Sequence, residues 1–406
     1  MQADRIREFR RALRAAQSDR STVTAHGVAS LADSCRDVYD ANYLWVDGPA
    51  ASADVLAAEC DSALADRFHR RIVVEGGGAG LAERFLELGY TLSTHLVLVH
   101  AREPDRRVDA SMTRLVDFEE LVPVRTAQIL AEPWGDSEIA AQLNEAKRRI
   151  AAAVPTRFFA VMVGDEIAGY CELRERDGVA QIEDVEVLER FRGRGLGRAI
   201  VQHALDEGLR SSDVVFLEAL ADDWPRELYA RLGFVGVDRA DLYTKLPHAL
   251  TRLRLRTPRI ELRLATIAEL RRLFVTAADG APDGLEEGPY LARHELALAG
   301  WRPDEWTLNL VAFQGREPAG TEAVGASHFG RTRAVTNDTW VGRAWRDQGL
   351  EDEMRAAALT LAFDGLGAKT ALLDRNRELA RDAFPRNVPV EISGLQRVRP
   401  LFGVAA

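Results

Sequence analysis

The sequence predicts an α/β protein built on a central mixed β-sheet with helices on both faces. Three observations lead there. From about residue 110, strand-like runs come first as a meander and then alternate with helical runs, which gives antiparallel strands followed by βαβ connections. A turn rich in glycine and arginine, Phe191-Arg192-Gly193-Arg194-Gly195-Leu196-Gly197-Arg198, joins the strand-like run Gln181–Val187 to a helical run, Leu196–Leu209. The same order of runs recurs downstream, and its closing part is found once more near the N-terminus.

The first twenty residues place Ile6, Phe9 and Leu13 at helical spacing among arginines, a capping helix rather than a targeting peptide because Asp4 and Glu8 interrupt the basic face. Strand-like Ala41–Val46, helical Ser52–Ala65 and strand-like Arg70–Glu75 follow. Gly76-Gly77-Gly78-Ala79-Gly80 lacks the last glycine of a dinucleotide loop and reads as a turn. Next come a helical run from Leu81 and a strand, Thr91–Val99. Residues 102–109, charged and holding Pro104, read as a linker.

In the middle stretch a strand near Met112–Leu115 leads to helices Phe118–Glu132 and Ser137–Ala153, then to a hairpin of Arg157–Val163 with Ile167–Glu175. After the arginine-glycine turn and its helix come a strand Val214–Leu220, a helix Trp224–Leu232, and strands at Phe234–Val237 and Leu242–Leu246. A second linker, 247–258, contains an alternating arginine run expected to form a short exposed strand. The last stretch repeats the order: strand Ile260–Leu264, helices Ile267–Ala277 and Pro289–Ala299, hairpin Thr307–Phe313 with Val324–Phe329, strand Ala334–Val341, helix Leu350–Phe363, strand Thr370–Leu373, helix Arg377–Phe384. The expected domains are therefore 1–103, 110–246 and 259–406.

At 406 residues and 47% hydrophobic, the chain has enough apolar content for more than one core. A net charge of -10 argues against nucleic acid or an anionic membrane as partner, and no apolar run reaches the roughly 18 residues of a span. Three cysteines without a CxxC pairing fit a reducing cytoplasm, and each is read as a small buried hydrophobe. No metal-ligand motif, G-x-S-x-G or P-loop occurs.

Glycines between a strand and a helix let successive N–H groups point outward together, and the helix N-terminus adds partial positive charge, so the turn suits a phosphate. Arg192-x-x-Gly195-x-Gly197 resembles the acetyl-CoA pyrophosphate loop of the GNAT N-acyltransferase superfamily, and Arg226-Glu227-Leu228-Tyr229-Ala230-Arg231-Leu232-Gly233-Phe234 resembles the LYxxLGF motif that closes such domains. The resemblance implies tandem GNAT folds: a partial N-terminal unit, a complete middle unit and a degenerate last one. Phe85 stands where Tyr229 would be in the first, and Ala380 in the last. The last stretch keeps Arg346 and Gly349 of the loop but has Glu351 in place of Gly197, where a carboxylate would repel a pyrophosphate.

It further implies that acetyl-CoA is the cosubstrate, bound by Arg192, Gly193, Arg194, Gly195, Leu196, Gly197 and Arg198, with the backbone of Val185, Glu186 and Val187 along a splayed strand. Asp222 stands where such domains often carry an asparagine toward the coenzyme arm. Tyr229 is the expected general acid. Glu183 is the expected base, with Asp184 and Glu186 as alternatives; strand alternation places Glu183 with Val185 and Val187, and Asp184 with Glu186. Trp134, Phe158 and Phe159 are candidates for an acceptor wall. The function expected is acetyl transfer to a primary amine of a small molecule or peptide; the alternative is a catalytically silent coenzyme A sensor or scaffold. A homodimer is compatible with the sequence.

Overall fold

A computed structural model describes residues 2–47, 51–78, 80–132, 134–222, 225–277, 287–374 and 376–404. It divides into two compact units, Met1–Leu246 and Pro247–Ala406. The three expected divisions thus become two, because the N-terminal and middle stretches share one sheet.

The first unit begins with helix α1 (Gln2–Gln17) and strands β1 (Arg20–Val23), β2 (Gly27–Leu31) and β3 (Tyr43–Val46). Helix α2 (Ala53–Ala63), strand β4 (Arg70–Glu75), helix α3 (Ala82–Glu87) and strand β5 (Thr91–His100) follow. The middle stretch contributes β6 (Thr113–Val116), α4 (Phe118–Ala131), α5 (Ser137–Ala153), β7 (Thr156–Val163), β8 (Glu166–Arg176) and β9 (Val179–Val187). It ends with α6 (Leu196–Ser211), β10 (Val214–Leu220), α7 (Pro225–Arg231) and β11 (Phe234–Lys245). Local chemistry sets several boundaries. Ser52 accepts from the Val55 amide at the start of α2, Asp136 from the Ile139 amide at the start of α5, and left-handed Gly195 opens α6.

The 11-stranded sheet runs β1-β2-β3-β4-β11-β5-β10-β9-β8-β7-β6. Its centre is a palindrome. One half carries parallel β3 and β4, helix α3, left-handed Gly89 and then β5; the other carries parallel β9 and β10, helix α7, left-handed Gly233 and then β11. Each closing strand crosses to the other half, so β5 lies antiparallel on β10 and β11 lies antiparallel on β4. The exchange covers the sheet edge that each half would otherwise leave open. Phe85 of α3 is fully buried against Tyr243 of β11, the rings stacked at 4.2 Å.

Two expectations change here. The two strands expected at 234–237 and 242–246 are one strand with a register shift at Gly236/Asp238. The polar residues between them are satisfied in place: Asp238 accepts from Arg7, and Asp241 from Thr94 and from the Gly78 amide. That last bond closes the glycine run as a turn on β11; Ala79 lies outside the described residues. The expected 102–109 linker is tied down, since Asp105 N–H donates to the Arg231 carbonyl and Val108 exchanges two bonds with the Gln202 side chain.

Helix α1 buries Ile6, Phe9 and Leu13 on the sheet beside Val97, Val179 and Phe216. The opposite face packs α6 through Leu196, Ile200 and Ala204 onto Leu173, Ile182 and Leu217. All three cysteines are free and buried. No described helix is long and apolar enough to cross a membrane.

The second unit has β12 (Arg254–Arg256), β13 (Glu261–Arg263), α8 (Ile267–Ala277), α9 (Glu287–Ala299), β14 (Glu305–Gln314), β15 (Glu317–Ser327), α10 (Phe329–Thr332) and β16 (Ala334–Val341). It closes with α11 (Leu350–Thr360), β17 (Thr370–Leu373), β18 (Arg377–Ala380), β19 (Glu391–Ser393) and α12 (Leu395–Val398). Its sheet runs β18-β17-β16-β15-β14-β13-β12-β19, with β16 and β17 parallel. The arginine run expected as an exposed strand is β12, held between β13 and β19 with Leu255 fully buried.

The helix expected at 377–384 is absent. β18 returns as a hairpin on β17 after left-handed Asp374, with Leu373 opposite Arg377. Aspartate and asparagine tolerate tight turns, and a four-residue ladder replaces the helix. Ala380 therefore has no helical position equivalent to that of Tyr229.

Candidate active site

The β9–β10 ladder ends at Ile182 opposite Leu217, while β9 continues to Val187 and β10 to Leu220. The strands diverge from there, so the β9 edge from Glu183 to Val187 makes no ladder with β10. On the other side, β9 carries a bulge against β8: Glu183 pairs with Glu172 and Glu186 with Tyr170, leaving two residues against one, and Asp184 is left-handed at φ 57°.

The bulge breaks the simple alternation expected from sequence. Val185 and Val187 pack with Ile182 on the α6 face, whereas Glu183 and Asp184 both turn toward the face covered by α1, α4 and α5. Aspartate adopts the left-handed conformation more readily than most residues, and Asp184 is fixed there by Arg125 and, at 3.6 Å, by Lys147. Burial works against its charge, but these cations hold its carboxyl below the ordinary value.

Glu183 opens onto a cavity of about 380 Å³ lined by α1, β3, α5, β8, β9 and β10. Its neighbouring acids are all engaged. Glu172 is buried between Lys147 and Arg174, Glu186 pairs with Arg192 at 3.0 Å, and Glu218 pairs with Arg10 at 2.8 Å. Among the described residues Glu183 has no ion-pair partner and accepts only the Gln181 amide at 2.8 Å. Burial pushes its carboxyl up to about 7, aided by the negative Glu218 and Glu172 and opposed by Arg174 and Lys147.

At the end of β9 the chain turns through 189–191 into the loop. Arg192 folds back to donate from Nε to the Val187 carbonyl at 2.9 Å. Gly193 and Gly195 are left-handed at φ 76° and 79°, and a Cβ on either would meet open space. No backbone partner is found among the described residues for the amides from Gly193 to Arg198. A row of outward amides at a helix start fits a diphosphate. The arginines divide: Arg192 and Arg194 are exposed on the loop, but Arg198 is buried, bound to Asp105 at 2.6 Å and to the Arg106 carbonyl. Its side chain anchors the preceding segment, leaving only its amide at the loop. The Leu196 side chain is buried beneath the turn.

Tyr229 is buried in the cluster that includes Val185, Val187 and Leu196, its ring edge-on to Phe234. Asp222 is exposed in the turn after β10. The proposed acceptor wall differs: Phe158 and Phe159 are core residues away from the cavity, and Trp134 is exposed. The cavity's own walls include Tyr43, Trp45, Lys147 and Glu218, which sequence reasoning passed over. Glu218 carried one signal, a lone acid within the apolar run Val214–Leu220.

The second unit repeats the backbone turn without the chemistry. Arg346 Nε reaches the Val341 carbonyl as Arg192 reaches Val187, and Gly349 is left-handed like Gly195. Glu351, Asp352 and Glu353 occupy the first turn of α11, and Arg259 donates to the carbonyls of Gln348 and Gly349.

Residues 121–234 match the model of the acetyltransferase (GNAT) family. This stretch is a GNAT domain. Similar solved structures include a functionally unknown conserved protein from Staphylococcus epidermidis, 18% identical with TM-score 0.45, over 56% of this chain and 93% of that one. A GCN5-related N-acetyltransferase from Kribbella flavida is 19% identical with TM-score 0.41, over 58% and 95%. A tandem GNAT protein from the clavulanic acid biosynthesis pathway is 18% identical with TM-score 0.37, over 55% and 80%. The match of the GNAT domain starts within α4 and ends at the first residue of β11, so it spans the splay, the loop and Tyr229.

Proposed function

We propose that the GNAT domain moves an acetyl group from acetyl-CoA to a primary amine by direct transfer. The observation that carries the reading is Glu183: of the acids around the β9 bulge, it alone faces the cavity without an ion pair among the described residues, beside a strand edge left open by the splay. The Gly193–Arg198 amides would hold the diphosphate, and the open β9 edge would run beside the pantetheine arm. Acetyl-CoA supplies the thioester carbonyl. Glu183 takes a proton from the incoming ammonium, and a carboxylate with a pKa near 7 suits that task at neutral pH. The amine nitrogen then bonds to the carbonyl carbon, the C–S bond breaks as Tyr229 gives its proton to the departing thiolate, and the second proton leaves the acylated nitrogen, through solvent, to restore the phenol.

The test is thiol release from acetyl-CoA with a panel of primary amines, together with mass analysis of the acceptor. Acetylated amine in step with free thiol is the expected result. A silent panel combined with tight acetyl-CoA binding would favour the sensor reading.

A further inference from the structure

The cavity in front of Glu183 contains a second group without a partner, at its opposite chemical pole. Its other cations are neutralised. Arg10 is clamped by Glu75 and Glu218, Arg71 pairs with Asp40 at 2.6 Å, and Lys147 and Arg174 share Glu172. Arg14, one turn after Arg10 on α1, has no carboxylate within ion-pair distance among the described residues, and its Nη1 is buried without a hydrogen-bond partner.

Arg14 is nevertheless held in place. Its guanidinium lies 4.5 Å from the Trp45 ring centroid, and the Trp45 indole is fixed by donating to Asp47 at 3.0 Å. Asp47 is paired with Arg11 at 3.1 Å and acts on Arg14 only from beyond ion-pair distance. A planar fork of N–H donors, stacked and partly desolvated, suits a carboxylate.

We propose that the acceptor is an amino acid: its amine lies at Glu183, and its carboxylate is bound by Arg14 of the N-terminal helix. This rests on the acetyl-transfer reading for the GNAT domain. A cavity of about 380 Å³ lies at the small end of the range for ligand pockets, roughly 300–1,000 Å³. The proposal also gives the N-terminal stretch a role. It has no coenzyme loop, yet it supplies Arg14, Tyr43 and Trp45 to the acceptor cavity.

The experiment compares matched acceptors by thiol release: β-alanine, γ-aminobutyrate, 5-aminovalerate and lysine, each against the alkylamine of the same chain length. It uses the full chain and Arg14→Met, which keeps an unbranched apolar stem beside Trp45 and removes the guanidinium. At least one carboxylate-bearing member should exceed its alkylamine about tenfold or more in kcat/KM. Arg14→Met should erase that preference by raising KM about tenfold or more for the carboxylate-bearing member and far less for its alkylamine, with acetyl-CoA binding retained. Equal use of both members in wild type, or equal loss for both in Arg14→Met, overturns the proposal. Calorimetric titration with the same amino acids separates the two readings. If thiol release is silent for every amine, acetyl transfer fails; amino-acid binding lost in Arg14→Met would still support the carboxylate site, and binding unchanged in the variant would overturn it.

Discussion

Removing the Glu183 carboxylate gives the most detailed test of the catalytic reading. A base with pKa about 7 is ionised in roughly one molecule in eleven at pH 6, half at pH 7 and about ten in eleven at pH 8. With one acceptor used throughout, wild-type kcat/KM should therefore climb about tenfold between pH 6 and 8 and then level. Glu183→Gln keeps the Gln181 contact and the shape but loses the ionisation, so that limb should vanish and the rate fall by about 10²–10⁴. The neighbours fix the direction of two further shifts. Lys147 favours the charged form, so Lys147→Met should move the limb to higher pH; Glu218 opposes it, so Glu218→Gln should move it lower. The assay is initial-rate thiol release at saturating acetyl-CoA across pH 5.5–9. A limb that survives in Glu183→Gln, or that stays fixed in both neighbour variants, would refute the assignment.

Tyr229→Phe should lower turnover tenfold or more while leaving acetyl-CoA affinity within about twofold; unchanged turnover would remove the phenol from the mechanism. Deleting residues 1–103 strips β5 from between β10 and β11, so the remaining first-unit half should fail to give a cooperative, monomeric fold by circular dichroism and size-exclusion chromatography. In the second unit, burial pushes Glu322 up to about 8 although Asn337 and Thr339 donate to it. A folded-state pKa above the unfolded value means that stability falls as pH rises from about 4.5 to 8. Glu322→Gln should therefore raise that unit's calorimetric transition more at pH 8 than at pH 5; an equal shift at both would contradict the linkage.

Much of this was legible because the signals were local. The strand-turn-helix at 181–209 follows from glycine placement and apolar spacing, and β4, α5, β10, α8, β16 and β17 have the predicted bounds. The exchange of β5 and β11 was not, because no residue records which neighbour a closing strand will choose. The bulge at Asp184 was equally hidden: its left-handed backbone depends on cations from α4 and α5, distant in sequence, and it reversed the expected facing of Val185 and Val187. Arg198 looked like loop charge and became an anchor because Asp105 arrives from the preceding segment. The 377–384 run has helical spacing, but pairing with β17 outweighed that weak preference.

The most direct measurement of the central claim is the stoichiometry of acetyl-CoA binding by isothermal titration calorimetry, in wild type and in Gly197→Glu. A Cβ at Gly197 would make only ordinary contacts, 3.7 Å from Val187 and 3.9 Å from Leu228, so the fold should tolerate the change while the loop acquires the acid found at position 351. The account predicts one site per chain, lost in Gly197→Glu. Two sites per chain, or one site that survives the substitution, would contradict it.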